Sequence, residues 1–238
     1  MVGEHVASLV VHYIQAAAPA DADSPRGAVQ VDDEWTDSDT HVKYRCSSTG
    51  PIVWQQVDVL GITSTPDIEI SISAASLKGT TTTPAGDANR LPESAETSVN
   101  AVNYDYMAFD PTTAEGAFFT LSLPTGWNEG TVTFRVKWTN ASGLTTETVV
   151  WGLKAVALSD DNALDTAFGS EVTVTDTWLA QNDVHISPES AALTIGGTPA
   201  VGDLSLWQIT RKTASDNLTG DARLIEIIIT FTRDSYSD

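Results

Sequence analysis

Strict alternation of apolar and polar residues is clearest at residues 131–139. The even-numbered positions from 132 to 138 hold Val, Phe, Val and Trp, and every odd-numbered position holds Thr, Arg or Lys. This period of two predicts a strand with one face in a core and the other in solvent. Turn-forming residues at 140–143 lead into a second β-rich run at 147–158. The two runs together predict an antiparallel hairpin.

The second of these strands carries apolar residues on both parities. One parity includes Trp151 and Leu153, and the other includes Val150, Val156 and Leu158. A strand with one solvated face does not need apolar side chains on that face. We therefore predict that Val150, Val156 and Leu158 form an interface with another sheet or another subunit.

Short β-rich runs recur at regular spacing through the rest of residues 103–238, separated by Gly, Pro, Asn and Asp. This pattern predicts an all-β domain, a jelly roll or β-sandwich. A one- to two-turn helix is expected only at residues 163–168, before Gly169. The remaining predicted strands are residues 106–109, 118–123, 171–178, 183–187, 191–195, 204–211 and 222–232.

The N-terminal part predicts a smaller module and a connector. Residues 1–61 contain a strand or short helix at the start and then three short strands, which predict a small β-meander. Such a module is too small to be stable alone, so Trp35, Tyr44 and Trp54 are predicted interface residues, with the core of the small sheet as the alternative. Residues 62–102 are predicted to form an extended connector with one edge strand at 67–74.

The charge of the chain limits its partners. Of 238 residues, 32 are acidic and 12 are basic, which gives a formal net charge of −20. This charge disfavours nucleic-acid backbones and anionic membrane surfaces as partners. It fits a high-salt or marine environment, and it also fits an acidic extracellular protein from elsewhere. The apolar run at residues 6–14 is far shorter than the roughly 20 residues that span a bilayer, and no basic segment precedes it.

Few residues point to chemistry. Cys46 is the single cysteine, and the four histidines are isolated from one another, so neither type predicts a metal cluster. The acidic and amide side chains of one loop form a weak candidate calcium site, although helix capping explains part of the pattern. Because the chain has 32 acidic residues, some pair of carboxylates can match the spacing of a glycosidase active site by chance. Such a pair therefore does not indicate a glycosidase. We therefore predict no catalytic, cofactor or metal site, and the weak metal candidates are Asp160, Asp161, Asn162 and Asp165.

Two stretches resemble structural proteins of tailed phages. The meander resembles the β-hairpin module near the N-termini of fibre and appendage proteins, with Gly27, Asp32, Tyr44 and Trp54 at comparable places and Gln30 where that pattern has Trp. Residues 103–238, from NYDYMAFDPTTAEGAFF through VVWGLKAVAL to GDLSLWQITRK, resemble the C-terminal jelly-roll domain of head-fibre, tail-fibre and other virion appendage proteins.

The resemblance implies a function without catalysis. It implies a structural component of a virus particle, a capsid fibre or decoration or a tail appendage, located on the extracellular virion. Its partners are then capsid or tail proteins, and the surplus apolar strand face favours a homotrimer. The alternative is a carbohydrate- or receptor-binding module at a fibre tip, because exposed aromatic side chains stack on sugars of a host surface glycan.

Overall fold

The fold is described from a computed structural model of the chain. The described residues are 12–15, 34–37, 43–49, 52–56, 67–81 and 90–234. The chain divides into two compact units, Met1–Ser64 and Thr65–Asp238. Each unit is described by itself.

The first unit contains a four-stranded sheet in the order β1-β2-β3-β4. Strands β2 to β4 form an antiparallel meander, as the sequence predicts, and β1 pairs with β2 in parallel. Cys46 is buried on β3, and Tyr44 on the same strand is partly exposed. Trp35 and Trp54 pair with Tyr44 and Cys46 in the backbone register, and their side chains lie outside the described part of the chain. The strands are β1 His12–Gln15, β2 Glu34–Asp37, β3 Lys43–Thr49 and β4 Ile52–Gln56.

The second unit is a sandwich of two antiparallel sheets. Its strands are β5 Ile68–Ser73, β6 Lys78–Gly79, β7 Glu93–Glu96, β8 Asn103–Phe109, β9 Gly116–Ser122, β10 Trp127–Thr139, β11 Thr148–Leu158, β12 Val172–Thr177, β13 His185–Ile186, β14 Leu204–Arg211 and β15 Ala222–Arg233. The six-stranded sheet has the order β13-β10-β15-β8-β7, and its sixth strand, β5, pairs with β15. The five-stranded sheet has the order β12-β11-β14-β9-β6.

This architecture confirms the predicted all-β fold, a small meander followed by a β-sandwich of the jelly-roll class. The described residues contain no α-helix, and their one helical segment is a 3-10 helix at Ala74–Ser76. None of the helices in the described ranges is long and apolar enough to cross a membrane.

The predicted hairpin of β10 and β11 is wrong. Strand β10 pairs with β13 and β15 in the six-stranded sheet, whereas β11 pairs with β12 and β14 in the five-stranded sheet. Both strands have a continuous apolar face, and placing them in opposite sheets buries both faces in one core. The loop between Thr139 and Thr148 thus crosses from one sheet to the other.

The segment predicted as a connector contributes three strands to the sandwich. Strand β5 pairs with β15, β6 with β9, and β7 with β8. The polar composition of this segment reflects edge strands, of which only one face is covered. The second unit accordingly begins at Thr65, whereas the sequence pattern places the start of the jelly roll at residue 103.

The surplus apolar residues of β11 are covered within the chain. The exposed fractions of Val150, Val156 and Leu158 are 6%, 1% and 6%. The observation that suggested an intermolecular face therefore has an intramolecular explanation. Their part in an interface between molecules stays a prediction.

The helix predicted at residues 163–168 does not form. The chain runs instead through turns and extended backbone, and the Gly169 N–H donates to the carbonyl of Ala155, 2.9 Å away. The Gly196 N–H donates to the same carbonyl. A Cβ atom on Gly169 would lie 2.2 Å from the carbonyl oxygen of Thr194, so this backbone approach requires glycine.

A guanidinium buried between the sheets ties the end of β14 to β8 and to the β14–β15 loop. Arg211 is fully buried, and its Nε and Nη2 donate to the two carboxylate oxygens of Asp216 at 2.8 and 3.2 Å. Its other N–H groups donate to the carbonyls of Phe109, Leu218 and Gly220. All five guanidinium donors are therefore satisfied, which is the condition for burying such a charge.

We expect Asp216→Ala to lower the free energy of unfolding by about 3–5 kcal/mol, because it leaves the Arg211 charge buried without its counterion. Chemical denaturation followed by tryptophan fluorescence measures this change. Arg135→Ala is the control, since its pair with Glu69 is exposed and should contribute less than about 1 kcal/mol. Equal losses in the two variants would contradict a special role for the buried pair.

Gly169→Ala should destabilise the sandwich by about 1–3 kcal/mol, because the new methyl group overlaps backbone atoms that have no room to move. Gly130→Ala is the matched control: the atoms that its Cβ would meet belong to the side chain of Asn128, which can rotate away. Thermal denaturation of both variants tests the difference, and an unchanged midpoint for Gly169→Ala would show that the two segments separate easily.

Candidate functional site

A groove of about 540 Å³ opens at one end of the six-stranded sheet. The β7–β8 hairpin, the first residues of β15, the end of β10 and the segment before β13 line it. A volume of this size falls in the range of sites for small ligands. Its apolar lining residues are Ala95, Val102, Val184 and Ile225, and its polar ones include Glu96, Thr139, Asn182 and Arg223.

Backbone register explains why these side chains meet. Thr139 on β10 pairs with Arg223 on β15, and Arg223 pairs with Ala108 on β8. Since side chains on one strand alternate between faces, Tyr106 and Tyr104 share the outer face with Ala108. The ring centroids of Tyr104 and Tyr106 are 5.7 Å apart. The Tyr104 ring thus lines the groove, and the neighbouring Tyr106 ring contacts Arg223.

Tyr106 is the anchor of this group. Its hydroxyl donates a hydrogen bond of 2.9 Å to Glu93, and the guanidinium carbon of Arg223 lies 4.9 Å from the centre of its ring. Burial raises the pKa of Tyr106 above its ordinary value, and the hydrogen bond to Glu93 raises it further, because both favour the neutral phenol. Tyr106 therefore holds Arg223 through its ring face and holds the edge strand β7 through its hydroxyl.

Buried Asn140 joins the walls of the groove. Its side-chain amide donates to the carbonyl of Asp221 at 2.8 Å, and its backbone carbonyl accepts from the Asn182 N–H at 2.9 Å. Its side-chain oxygen accepts a hydrogen bond from the Ser142 N–H. The Asn-Ala-Ser pattern that begins at Asn140 is consequently a structural feature here, because its amide group is enclosed and fully engaged.

The base of the groove contains an unsatisfied hydroxyl. Thr139 is 3% exposed, and its Oγ1 has no hydrogen-bond partner among the described residues. A buried hydroxyl without a partner costs free energy, so most such groups in proteins are paired.

The loop that contains the weak metal candidates takes no part in this groove. Asp160, Asp161, Asn162 and Asp165 are all exposed, and the Asn162 side chain accepts from the Ser159 N–H to close a turn. No group of three or more His, Cys, Asp or Glu residues in the described ranges is arranged to hold a metal ion.

Sequence reasoning missed the groove. The signal was present in the run Asn103–Phe109, where Tyr104 and Tyr106 lie on the parity opposite to that of the buried Met107 and Phe109. Arg223 and Asn182 give no such signal, because only folding brings them to the tyrosines. Of the described residues predicted for an interface, none lines the groove.

Comparison with known proteins finds weak structural likeness only. No protein-family model matches the chain, and no curated protein sequence matches it. An isomalto-dextranase of Arthrobacter globiformis T6 is 17% identical with a TM-score of 0.41, covering 69% of this chain and 24% of its own. A glucanotransferase of a Paenibacillus species follows with 14% identity and a TM-score of 0.38. The chain spans only 24% and 18% of the lengths of these two enzymes.

A module of similar size shows the same degree of likeness. The CBM36-1 domain of a multidomain xylanase from the hindgut metagenome of Trinervitermes trinervoides is 10% identical, with a TM-score of 0.36 over 68% of this chain and 96% of its own. Because their TM-scores are below 0.5, these structures support no conclusion about function. The functional argument depends on the groove.

We expect Tyr106 to stay protonated when exposed tyrosines ionise, near pH 10, because burial and the hydrogen bond to Glu93 both favour its neutral form. The difference in tyrosinate absorbance between the wild type and Tyr106→Phe, followed as the pH is raised, reports this group alone. Circular dichroism at each pH verifies that the fold persists. A difference that is complete by about pH 10 would contradict the environment described for Tyr106.

Proposed function

We propose that the second unit is a non-catalytic carbohydrate-binding module that holds a short segment of a saccharide in the groove beside Tyr104. The observation that carries this proposal is the combination of a partly exposed tyrosine ring with apolar walls and several hydrogen-bonding groups in one open groove. Sugars need both elements, since their C–H faces stack on aromatic rings and their hydroxyls require hydrogen-bond partners.

The polar groups of the groove suit hydroxyl recognition. Arg223 and Asn182 provide donors, and Glu96 provides acceptors. The apolar residues Val102 and Val184 flank them and are 56% and 63% exposed. A saccharide seated on Tyr104 would cover these side chains, so apolar burial would add to the affinity.

The groove has a rigid frame, which favours binding without reorganisation. The β7–β8 turn is closed by three hydrogen bonds: the Thr97 N–H donates to the Val102 carbonyl, the Ala101 N–H to the Thr97 carbonyl, and the Val102 N–H to Thr97 Oγ1. Asn140 joins the other walls through its bonds to Asp221 and Asn182. A pre-formed site loses less conformational entropy when it binds a ligand.

The virion role is a second proposal, supported by the resemblance of residues 103–238 to phage appendage domains. A glycan-binding groove is compatible with it, because a fibre tip that attaches to a host surface requires such a site. The homotrimer, the capsid or tail partners and the location on an extracellular particle belong to this second proposal.

Tyr104→Ala should weaken saccharide binding by about tenfold or more, because it removes the stacking surface and leaves the backbone of β8 intact. A glycan array with the full chain identifies a binding saccharide, and calorimetry then measures the affinity of wild type and variant. Phe118→Ala is the matched control, since Phe118 is also an exposed aromatic residue, 42% accessible, on the five-stranded sheet. Equal effects of the two variants, or no binding to any glycan, would refute the proposal.

A further inference from the structure

The basic residue in the groove differs from most other basic residues of the sandwich. The ion pairs among the described residues are Arg90–Glu115, Arg135–Glu69, Lys137–Glu226, Arg211–Asp216 and Lys212–Glu171. Arg223 has no carboxylate within ion-pair distance in the described part of the chain; its recorded contact is the one with the Tyr106 ring. In a protein with a net charge of −20, an arginine without a carboxylate partner is unusual.

The acidic groups near Arg223 are already engaged elsewhere. Glu93 accepts the hydrogen bond from the Tyr106 hydroxyl, and Glu96 accepts one of 3.1 Å from the side-chain amide of Asn103. The guanidinium is only partly exposed, and Tyr106 holds it by one face. Its N–H groups project from the edge of that plane, where a planar fork of donors is available for an incoming group.

We infer that the groove selects acidic saccharides, with Arg223 pairing with a carboxylate or sulfate group of the sugar that stacks on Tyr104. This inference rests on the proposed carbohydrate-binding function and names the substrate class of the same site. A guanidinium binds carboxylates and sulfates through two parallel N–H···O bonds, and such charged bonds are stronger than neutral ones. The carboxylate partner that Arg223 lacks among the described residues would thus be replaced by the anionic group of the ligand.

One carboxylate in the groove should weaken the binding of acidic saccharides, and it provides a second test of this selectivity. Glu96 lines the same groove and would repel an anionic sugar through space. Removing its charge should therefore strengthen the binding of an acidic saccharide relative to that of a neutral one. A groove that recognises only hydroxyl groups would show no preference for acidic saccharides and no effect of the Glu96 charge on such a preference.

The test uses the full chain and three trisaccharide probes: a galacturonate trimer, a galactose trimer that has hydroxymethyl groups in place of the carboxylates, and a sulfated galactose trimer. Calorimetry at low and at high salt measures each affinity. We expect at least one acidic trimer to bind about tenfold or more tightly than the neutral trimer, and the preference should persist at high salt, because salt screens the long-range repulsion by the net charge more than it screens a partly buried pair. Whichever acidic trimer binds more tightly identifies the anionic group.

Arg223→Gln should remove the preference for the acidic trimer, because the acidic trimer loses a charged pair whereas the neutral trimer loses only neutral hydrogen bonds. Lys78→Gln is the matched control, because it deletes one positive charge from β6 in the other sheet and should leave the preference intact. Glu96→Gln provides a measurement that does not depend on the folding of the Arg223 variant, and it should raise the affinity for the acidic trimer about threefold.

The outcomes separate this inference from the proposed function. Equal binding of neutral and acidic trimers, with sensitivity to Tyr104→Ala, would overturn the acidic selectivity and leave the carbohydrate-binding function standing. Binding of inorganic sulfate as tight as that of the sulfated trimer would also overturn it, since the site would then recognise a bare anion. If none of the three trimers binds and a glycan array is blank as well, both proposals fall.

Discussion

The packing of aromatic side chains between the two sheets is the interaction on which the rest of the sandwich depends. Trp151 of the five-stranded sheet meets Phe109 of the other edge-to-face at 5.2 Å, and Trp207 meets Phe231 across the same layer at 6.5 Å. All four are fully buried. Rings of this size bury more apolar surface per residue than any other side chain, and they supply much of the driving force that holds two sheets together.

Polar links across the same layer fix how the sheets are aligned. The Trp138 indole N–H donates to Asp176 at 2.7 Å and so joins β10 to β12. Arg211 reaches the carbonyl of Phe109 and thereby joins β14 to β8. Apolar packing is non-directional and tolerates sliding of one sheet over the other, whereas these bonds have a defined geometry. The aromatic layer and the polar links together determine where the outer faces, and therefore the groove, are placed.

The acidic composition of the chain affects how an acidic ligand would bind in the groove. Most ion pairs of the sandwich contribute to the alignment of its strands or to its solubility. Arg223 differs from the basic residues of these pairs, because its side chain contacts the Tyr106 ring and no carboxylate among the described residues. Acidic saccharides would be repelled by the net charge of the whole protein at long range, so their recognition would depend on this short-range contact. Salt screens the repulsion far more than it screens a partly buried pair.

The sequence by itself determined which segments are strands and which of their faces are buried. Alternation along β10 and β15 and the apolar runs of β11 and β14 are local signals, because side-chain direction in a strand depends only on position along it. The all-β class and most of the large strands follow from those signals. The burial of Trp138 and Trp151 was predictable in the same way, since each lies on the apolar parity of its strand.

Only the tertiary structure decided which strands pair and where a site forms. The β10–β11 hairpin was wrong because pairing depends on long-range burial of two faces in one core, which turn residues do not encode. Strand β5 is the edge strand that the sequence predicts at residues 67–74, whereas the polar strands β6 and β7 joined the sandwich without such a signal, because an edge strand needs few apolar residues of its own. The groove combines Tyr104, Asn182 and Arg223, which are far apart in the chain, so their proximity follows from sheet register and has no trace in local sequence.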